Sequence, residues 1–123
     1  MNEQIQEVND SDFEQAVLES GRPVLVDFWA PWCRPCRALA PTLAEVAADW
    51  TGRARVMKLN VDASPSSAER FSVRAIPTLI LFKSGREVER LLGAVNKTEI
   101  ERRLDHHIET GVEQEEKHGS ATV

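Results

Sequence analysis

The chain has 123 residues, of which 41% are hydrophobic and 28% are charged, and its formal net charge is −5. This length suits one domain with a single core, and an acidic chain without a basic patch excludes nucleic acid as an expected partner. No apolar run is long enough to cross a membrane, so we expect no membrane association. Residues 1–7 lack the positive start and apolar stretch of a signal peptide, and we therefore expect a cytoplasmic protein.

The first half of the chain predicts a short helix, a buried strand and a longer helix. A capping-box sequence at residues 11–14 starts the short helix. Residues 24–29 are almost continuously apolar, which is typical of a strand buried on both faces. Residues 33–50 carry apolar side chains at helical spacing, and Gly52 ends this helix.

The second half predicts further strands and two more helices. Apolar runs predict strands at residues 55–61, 78–82 and 87–92, the last two joined as a hairpin. Ser64 caps a short helix that ends near Phe71, and Asn96 caps the last helix, which Gly111 ends. The element order βαβαβαββα implies an α/β fold in which a central mixed sheet has helices on both faces.

Cys33 and Cys36 are the only cysteines, and they lie three residues apart. At the start of a helix this spacing places both sulfurs on one side of the first turn, so a disulfide can close locally. A strand, then C-x-x-C, then a helix is the context of a redox pair rather than of zinc. Unpaired N–H groups at the helix N-terminus stabilise a thiolate, which makes Cys33 the candidate nucleophile. Cys36, one turn further in and more buried, is the candidate resolving thiol.

Two other interpretations of the cysteines stay open at this point. They could be inert core residues, although the flanking Trp and Pro indicate an exposed site. A structural zinc needs four ligands, and this pair supplies two, so only a metal shared across a dimer would complete the set. We predict no metal, because the histidines lie far along the chain, where we expect solvated surface residues: His106, His107 and His118.

Asp27 lies in the middle of the apolar strand at residues 24–29. A buried carboxyl is costly, and burial raises its pKa, which suits a proton acceptor that works near neutrality. A local turn hydrogen bond at the strand end explains the position equally well. Lys58, on the neighbouring strand, is either the partner of Asp27 or a plain surface lysine.

Three loops carry further candidate residues. Trp32 precedes the first cysteine in a Pro-rich turn, which favours exposure. The sequence does not determine whether the Ile76–Pro77 bond is cis. Gly93 and Ala94 either end the last strand or allow another backbone to approach closely.

These features together resemble the thioredoxin family over about residues 3–109. The matching landmarks are residues 27–33, Pro35, Cys36, Pro41, and residues 58–62, 76–78, 82–85 and 93–94. Many landmarks at matching separations make the resemblance far more specific than a lone C-x-x-C. It implies the thioredoxin fold, a central mixed five-stranded sheet flanked by four helices.

The resemblance also implies an activity, a monomeric protein-disulfide reductase that acts by dithiol–disulfide exchange through Cys33 and Cys36. It implies that Asp27 is the buried carboxyl beneath Cys36, with Lys58 beside it. It implies a cis bond before Pro77 that faces the disulfide. No cofactor would be bound; thioredoxin reductase would supply electrons from NADPH, and the targets would be proteins with exposed disulfides.

The resemblance further implies an apolar groove for target chains, formed by Trp32, Ile76, Pro77, Gly93 and Ala94. A target segment that lies in this groove would present its disulfide to the redox pair.

The dipeptide between the cysteines departs from the family pattern. The family has Gly-Pro where this chain has Arg34 and Pro35, and in the wider superfamily this dipeptide tunes redox potential. Two alternatives follow. The chain could be a variant that favours disulfide oxidation or isomerisation, or a subunit of the same fold that binds a partner through the groove whatever its redox state.

We assign residues 1–110 to the thioredoxin domain and residues 111–123 to a flexible acidic tail, because the tail is polar and lacks periodic apolar positions. Deleting residues 112–123 should therefore leave both the free energy of unfolding and the disulfide reductase activity nearly unchanged. Urea denaturation of the truncated and full-length chains measures the effect. A loss of several kcal/mol, a large part of the stability of a typical domain, would show that the tail packs.

Overall fold

The computed structural model describes residues 5–108, which form a five-stranded sheet with four helices. The strands are β1 Ile5–Val8, β2 Val24–Trp29, β3 Arg55–Asn60, β4 Thr78–Lys83 and β5 Arg86–Leu92. A short π-helix spans Glu14–Leu18, and the other helices are α1 Arg34–Asp49, α2 Pro65–Arg70 and α3 Lys97–His107. The fold class inferred from the resemblance is confirmed.

The strand order is β1-β3-β2-β4-β5, so β2 lies at the centre of the sheet. Strands β1, β3 and β2 run parallel, whereas β4 and β5 pair antiparallel. A two-residue turn at Ser84 and Gly85 joins β4 to β5, with φ of 55° and 79°. Left-handed backbone at both central residues matches the right-handed twist of the strands.

Alternation along the strands divides the core between the two faces of the sheet. Leu25 and Leu79 point to one face, where they pack with residues of α1 and α3 such as Leu43 and Leu104. Val26 and Ile80 belong to the other core, beneath the π-helix and α2. The two cores cover both faces of β2, so its continuous apolar sequence is required.

An aromatic cluster ties the second face together. The rings of Phe13, Phe71 and Phe82 contact one another with centroids 5.0 to 5.6 Å apart. Two of the three pairs have edge-to-face geometry, which such rings prefer. This cluster anchors the end of α2, from which the chain continues toward the candidate site.

The capping box predicted at residues 11–14 is wrong. The side-chain oxygen of Asn9 instead accepts hydrogen bonds from the backbone N–H groups of Ser11 and Asp12, at 2.9 and 3.1 Å. The helix that follows is closed by a wider bond, from the Glu19 N–H to the Glu14 carbonyl at 2.9 Å. A local Asn turn has therefore displaced the cap that the sequence pattern indicated.

The predicted capping of α2 by the Ser64 side chain is also wrong. Ser64 is at the N-cap position, but its hydroxyl accepts the N–H of Asp10. The Asp10 carboxylate in turn accepts the N–H groups of Ser66 and Ser67, at 3.1 and 2.8 Å. The Asp10 carboxylate therefore caps the N-terminus of α2, although it comes from a distant part of the chain.

The last helix begins as predicted, since the Asn96 side chain accepts the Glu99 N–H at 2.9 Å. It ends at His107 rather than at Gly111, which lies outside the described residues, as does the tail. The boundary at residue 110 therefore stays a prediction. Within residues 5–108, no helix has the length and apolar character that a membrane crossing requires.

Candidate active site

Cys33 and Cys36 form a disulfide at the N-terminus of α1, with their Cα atoms 5.2 Å apart. The chain leaves β2 at Trp29 and turns at once, because the Cys33 N–H donates to the Ala30 carbonyl. Cys33 is the N-cap, and its sulfur accepts the N–H of Cys36 at 3.2 Å. Pro35 fits the first turn, where no N–H is needed.

Cys33 and Cys36 are buried to nearly the same extent, so the clear difference in burial that the sequence predicted is absent. The exposed fractions of Cys33 and Cys36 are 4% and 3%. Ala30 packs against both, and Val61 and Ile76 complete the cover. The asymmetry lies elsewhere: Cys33 lines a surface cavity, and Cys36 is absent from its lining.

The loop before β4 approaches the disulfide. The Ile76–Pro77 bond is cis, as the resemblance implied, and the Ile76 carbonyl oxygen lies 3.8 Å from the Cys33 sulfur. The Gly93 N–H donates to the Pro77 carbonyl at 2.9 Å. Gly93 has a φ of +84°, a conformation that favours glycine, so the end of β5 can turn toward this loop.

A cavity of about 490 Å³ opens beside Cys33. Most of its lining is apolar, from Trp32, Pro35, Val61, Val73, Ala75 and Ile76. The remaining lining residues are Cys33 itself and two arginines, Arg34 and Arg74.

Two of the five residues expected in the groove, Trp32 and Ile76, line this cavity. The other three lie outside its lining: Pro77 is buried, Gly93 is half-buried and Ala94 is exposed.

Sequence reasoning missed four of the lining residues: Val61, Val73, Arg74 and Ala75. The last three directly precede Ile76 in the chain, and this adjacency was the available signal.

Trp32 is exposed, as predicted, with 66% of its surface accessible. Its ring is nevertheless held in place, because Nε1 donates to Oδ2 of Asp62 at 2.8 Å. A fixed aromatic side chain at the rim can contact a target without a large loss of side-chain freedom.

Arg90 holds the backbone turn that directly precedes the cavity-lining residues Val73 and Arg74. From β5 its guanidinium donates to the carbonyls of Phe71 and Ser72, at 2.7 and 3.4 Å. Both carboxylate oxygens of Glu87 accept from the same guanidinium, at 2.7 and 2.8 Å. Ser72 has a φ of 57°, and from this turn the chain enters the segment that lines the cavity.

Asp27 is buried on β2, with 5% of its surface exposed. Burial raises the pKa of its carboxyl to about 7, and the positive charge of Lys58 opposes this rise. Lys58 is the register neighbour of Asp27 on β3, but its Nζ lies over the Trp29 ring, 4.9 Å from the ring centroid. Within residues 5–108 the two form no ion pair, and Asp27 Oδ1 has no hydrogen-bond partner. Lys58 therefore acts on Asp27 through its charge rather than by contact.

No group of three or more His, Cys, Asp or Glu side chains within residues 5–108 is arranged to hold a metal ion. His106 is exposed, as expected, whereas His107 is half-buried and its Nε2 lies 2.8 Å from Glu89 Oε1. The expectation that His107 is merely solvated is thus wrong. His118 lies outside the described residues.

Comparison with known proteins agrees with the geometry. A family model described as thioredoxin matches residues 4–106. Thioredoxin 1 of Nostoc sp. is 48% identical over 102 residues, which cover 83% of this chain and 95% of the relative. Thioredoxin 1 of Synechococcus elongatus is 50% identical over 101 residues, 82% of this chain and 94% of the relative. A chloroplastic M-type thioredoxin of Pisum sativum is 43% identical over 105 residues, 85% of this chain and 61% of the relative. The chain belongs to the thioredoxin family.

Proposed function

We propose that this chain is a protein-disulfide reductase that works by dithiol–disulfide exchange. The observation that carries the proposal is a disulfide at a helix N-terminus, of which one sulfur, that of Cys33, lines an open apolar cavity. Membership of the thioredoxin family supports the same conclusion.

In the first step, the reduced Cys33 thiolate attacks one sulfur of a target disulfide. The target S–S bond breaks, a mixed disulfide forms, and the second target sulfur leaves as a thiolate. The N-cap position favours the Cys33 thiolate, because the Cys36 N–H points at its sulfur and the helix dipole adds positive potential.

In the second step, Cys36 loses a proton and attacks the Cys33 sulfur. The mixed disulfide breaks and the chain's own disulfide forms. The target sulfur that had been bonded to Cys33 leaves as a thiolate and is protonated. Two electrons have then passed to the target. We assign Asp27 as the acceptor of the Cys36 proton, since a carboxyl with a pKa of about 7 can take up a proton near neutrality. Lys58 lowers that pKa and so keeps part of the carboxyl ionised.

The target segment lies along the cavity, in contact with Trp32 and Ile76. We propose that Pro77, Gly93 and Ala94 extend this surface, because Gly93 is bonded to Pro77 and Ala94 is the exposed residue that follows. Replacing Ala94 by Glu should slow reduction of a protein disulfide more than reduction of a small neutral disulfide. Equal slowing of both would remove Ala94 from the binding surface.

Regeneration is proposed to come from thioredoxin reductase with NADPH, with this chain acting as a cytoplasmic monomer that binds no cofactor. A disulfide reductase belongs in a compartment that keeps thiols reduced. The direct test is NADPH oxidation in the presence of the chain, thioredoxin reductase and a protein disulfide. No turnover would refute the proposal; gel filtration and cell fractionation test the monomer and the compartment.

Arg34 and Pro35 are proposed to tune the redox potential. Arg34 is exposed at the start of α1, and its positive charge favours the Cys33 thiolate and hence the reduced state. Arg34→Gly should therefore lower the reduction potential, by at most about 20 mV, because an exposed charge pair contributes about 0–1 kcal/mol and ~30 mV corresponds to 1.4 kcal/mol. Equilibration of both proteins with glutathione measures the difference. A higher potential in the variant would contradict the electrostatic account. A wild-type potential in the range of oxidases would favour the oxidase or isomerase alternative.

The two cysteines have different proposed roles, so their serine variants should trap different amounts of mixed disulfide. Cys36→Ser should accumulate mixed disulfides with targets through Cys33, because the nucleophile is retained and the resolving thiol is lost. Cys33→Ser should accumulate almost none. Non-reducing gels of each variant after exposure to a protein disulfide measure the trapped fraction. Equal trapping would contradict the assignment, and partner binding retained in the double Cys→Ser variant would instead favour a redox-independent binding subunit.

Asp27→Asn should stabilise the protein in a pH-dependent way. Because the folded-state pKa of Asp27 is raised from 3.8 to about 7, ionisation of the carboxyl disfavours folding, and the wild type loses stability as pH rises between these values. The gain in the variant should be small near pH 4, grow toward pH 7 and level off above it, reaching up to about 4 kcal/mol. Urea denaturation across this range measures it, with the exposed Asp105→Asn as a matched control that changes stability by less than about 0.5 kcal/mol.

The same variant tests the proton-acceptor role. Asp27→Asn should resolve a preformed mixed disulfide more slowly than the wild type at neutral pH, while the first attack by Cys33 is less affected. Unchanged resolution would leave Asp27 without a role in proton transfer, even if the stability gain is observed.

A further inference from the structure

Two arginines lie at the cavity that Cys33 opens into. Arg34 is the first residue of α1, and Arg74 belongs to the loop between α2 and β4. Both are exposed and both line the cavity. Neither forms an ion pair or a side-chain hydrogen bond with any other residue between 5 and 108. The chain as a whole carries a formal net charge of −5, opposite in sign to this pair of cations.

Two carboxylates, those of Asp62 and Glu69, belong to residues in contact with this part of the surface, and neither is paired with Arg34 or Arg74. The carboxylate of Asp62 accepts the hydrogen bond that fixes Trp32. Glu69 lines an adjoining cavity together with Arg74, but it forms no ion pair with it. Neither carboxylate lines the cavity beside Cys33, whose walls are apolar apart from the two guanidinium groups and the sulfur.

We propose that this cavity selects target segments that carry Asp or Glu next to the disulfide-bonded cysteine. The proposal rests on the proposed function and specifies its substrate class. The apolar walls, including Trp32, Val73 and Ile76, accept the side chains of the segment, and the target carboxylate lies between Arg34 and Arg74. A guanidinium binds a carboxylate in a planar, two-bonded geometry, and neither arginine has to break an existing ion pair to do so.

The position of the charges decides which step they affect. Charges at the rim of an interface mainly change the association rate and the choice of partner, and their effect falls as salt is added. Arg34 and Arg74 should therefore act on the second-order rate constant of mixed-disulfide formation. A target with Lys at the same place meets two like charges and should be disfavoured.

The test uses three peptide disulfides that differ only at the two residues that flank the cysteine, which are Glu, Gln or Lys. The full-length chain is reduced beforehand, and its second-order rate constant of oxidation by each peptide is measured. Flanking charges also change the reactivity of the peptide disulfide toward any thiolate, so each rate constant is divided by that of dithiothreitol, which also attacks as a thiolate but has no cationic group, with the same peptide. The normalised Glu-to-Gln ratio is the selectivity.

The wild type should prefer Glu over Gln by about threefold to tenfold at low ionic strength, since two exposed charge pairs contribute modestly. The preference should largely disappear at about 0.5 M salt. Arg34→Gln and Arg74→Gln should each remove part of it, and the double variant should reach a normalised ratio near one. Arg86→Gln is the matched control. Arg86 is also exposed, and its replacement changes the net charge by the same amount as either single variant, but Arg86 lies at the end of the sheet opposite to the cavity.

The outcomes separate this inference from the function on which it rests. If the wild type reduces none of the three peptides, the proposed function itself fails. If it reduces all three with equal normalised rate constants, the reductase stands and the selectivity is refuted. A loss of preference in Arg86→Gln as large as in Arg34→Gln or in Arg74→Gln would also refute it, because net charge rather than the cavity would then be the cause.

Discussion

The burial of one strand, β2, is the constraint on which the rest of the structure depends. It pairs with β3 on one side and β4 on the other, and both of its faces are covered by apolar cores. A strand enclosed in this way leaves the core only at its C-terminal end, where the chain turns at Ala30 and begins α1. The N-terminus of α1 is therefore held at a fixed point, with Cys33 as its cap. The chemistry of the sulfur follows from this placement, because the helix directs N–H groups and positive potential at it.

The same burial leaves the carboxyl of Asp27 in apolar surroundings. Asp27 lies on β2 between apolar neighbours, and one of its oxygens is left without a hydrogen-bond partner. Lys58 lies opposite on β3, yet its ammonium group interacts with the Trp29 ring instead of forming an ion pair. The effect of burying the Asp27 carboxyl therefore exceeds the attraction of the Lys58 charge, and the pKa of Asp27 is raised to about 7. A carboxylate paired directly with lysine would be ionised at neutral pH and a poorer proton acceptor. The incomplete pairing costs stability and suits the proposed role.

The sequence could predict those parts of the molecule that depend on neighbouring residues. The apolar run of β2, the C-x-x-C at a helix start and the Asn96 cap are local patterns, and each was found where expected. The cap of α2 could not be predicted, because Asp10 and Ser67 are 57 residues apart. The approach of Ile76 to Cys33 spans 43 residues and was implied by resemblance alone. The similar burial of Cys33 and Cys36 has the same origin, since Val61 and Ile76, which pack against them, come from elsewhere in the chain.

The arginines near the cavity have two different roles, one in holding the backbone and one in the proposed binding of a target. Arg90 is fully engaged in pairing within the fold: Glu87 neutralises its charge, and the Phe71 and Ser72 carbonyls accept two further N–H groups. It thereby fixes the turn from which the segment with Arg74 and Ile76 extends along the cavity. Because the backbone of that segment is already held, a target does not have to order it on binding, and less binding free energy is lost. Arg74, which has no ion-pair or side-chain hydrogen-bond partner among residues 5–108, can remain so at low cost, since its backbone is positioned by other contacts. Arg90 thus fixes the backbone of this segment, whereas Arg34 and Arg74, which have no ion-pair partner within residues 5–108, are the residues that we propose bind a target carboxylate.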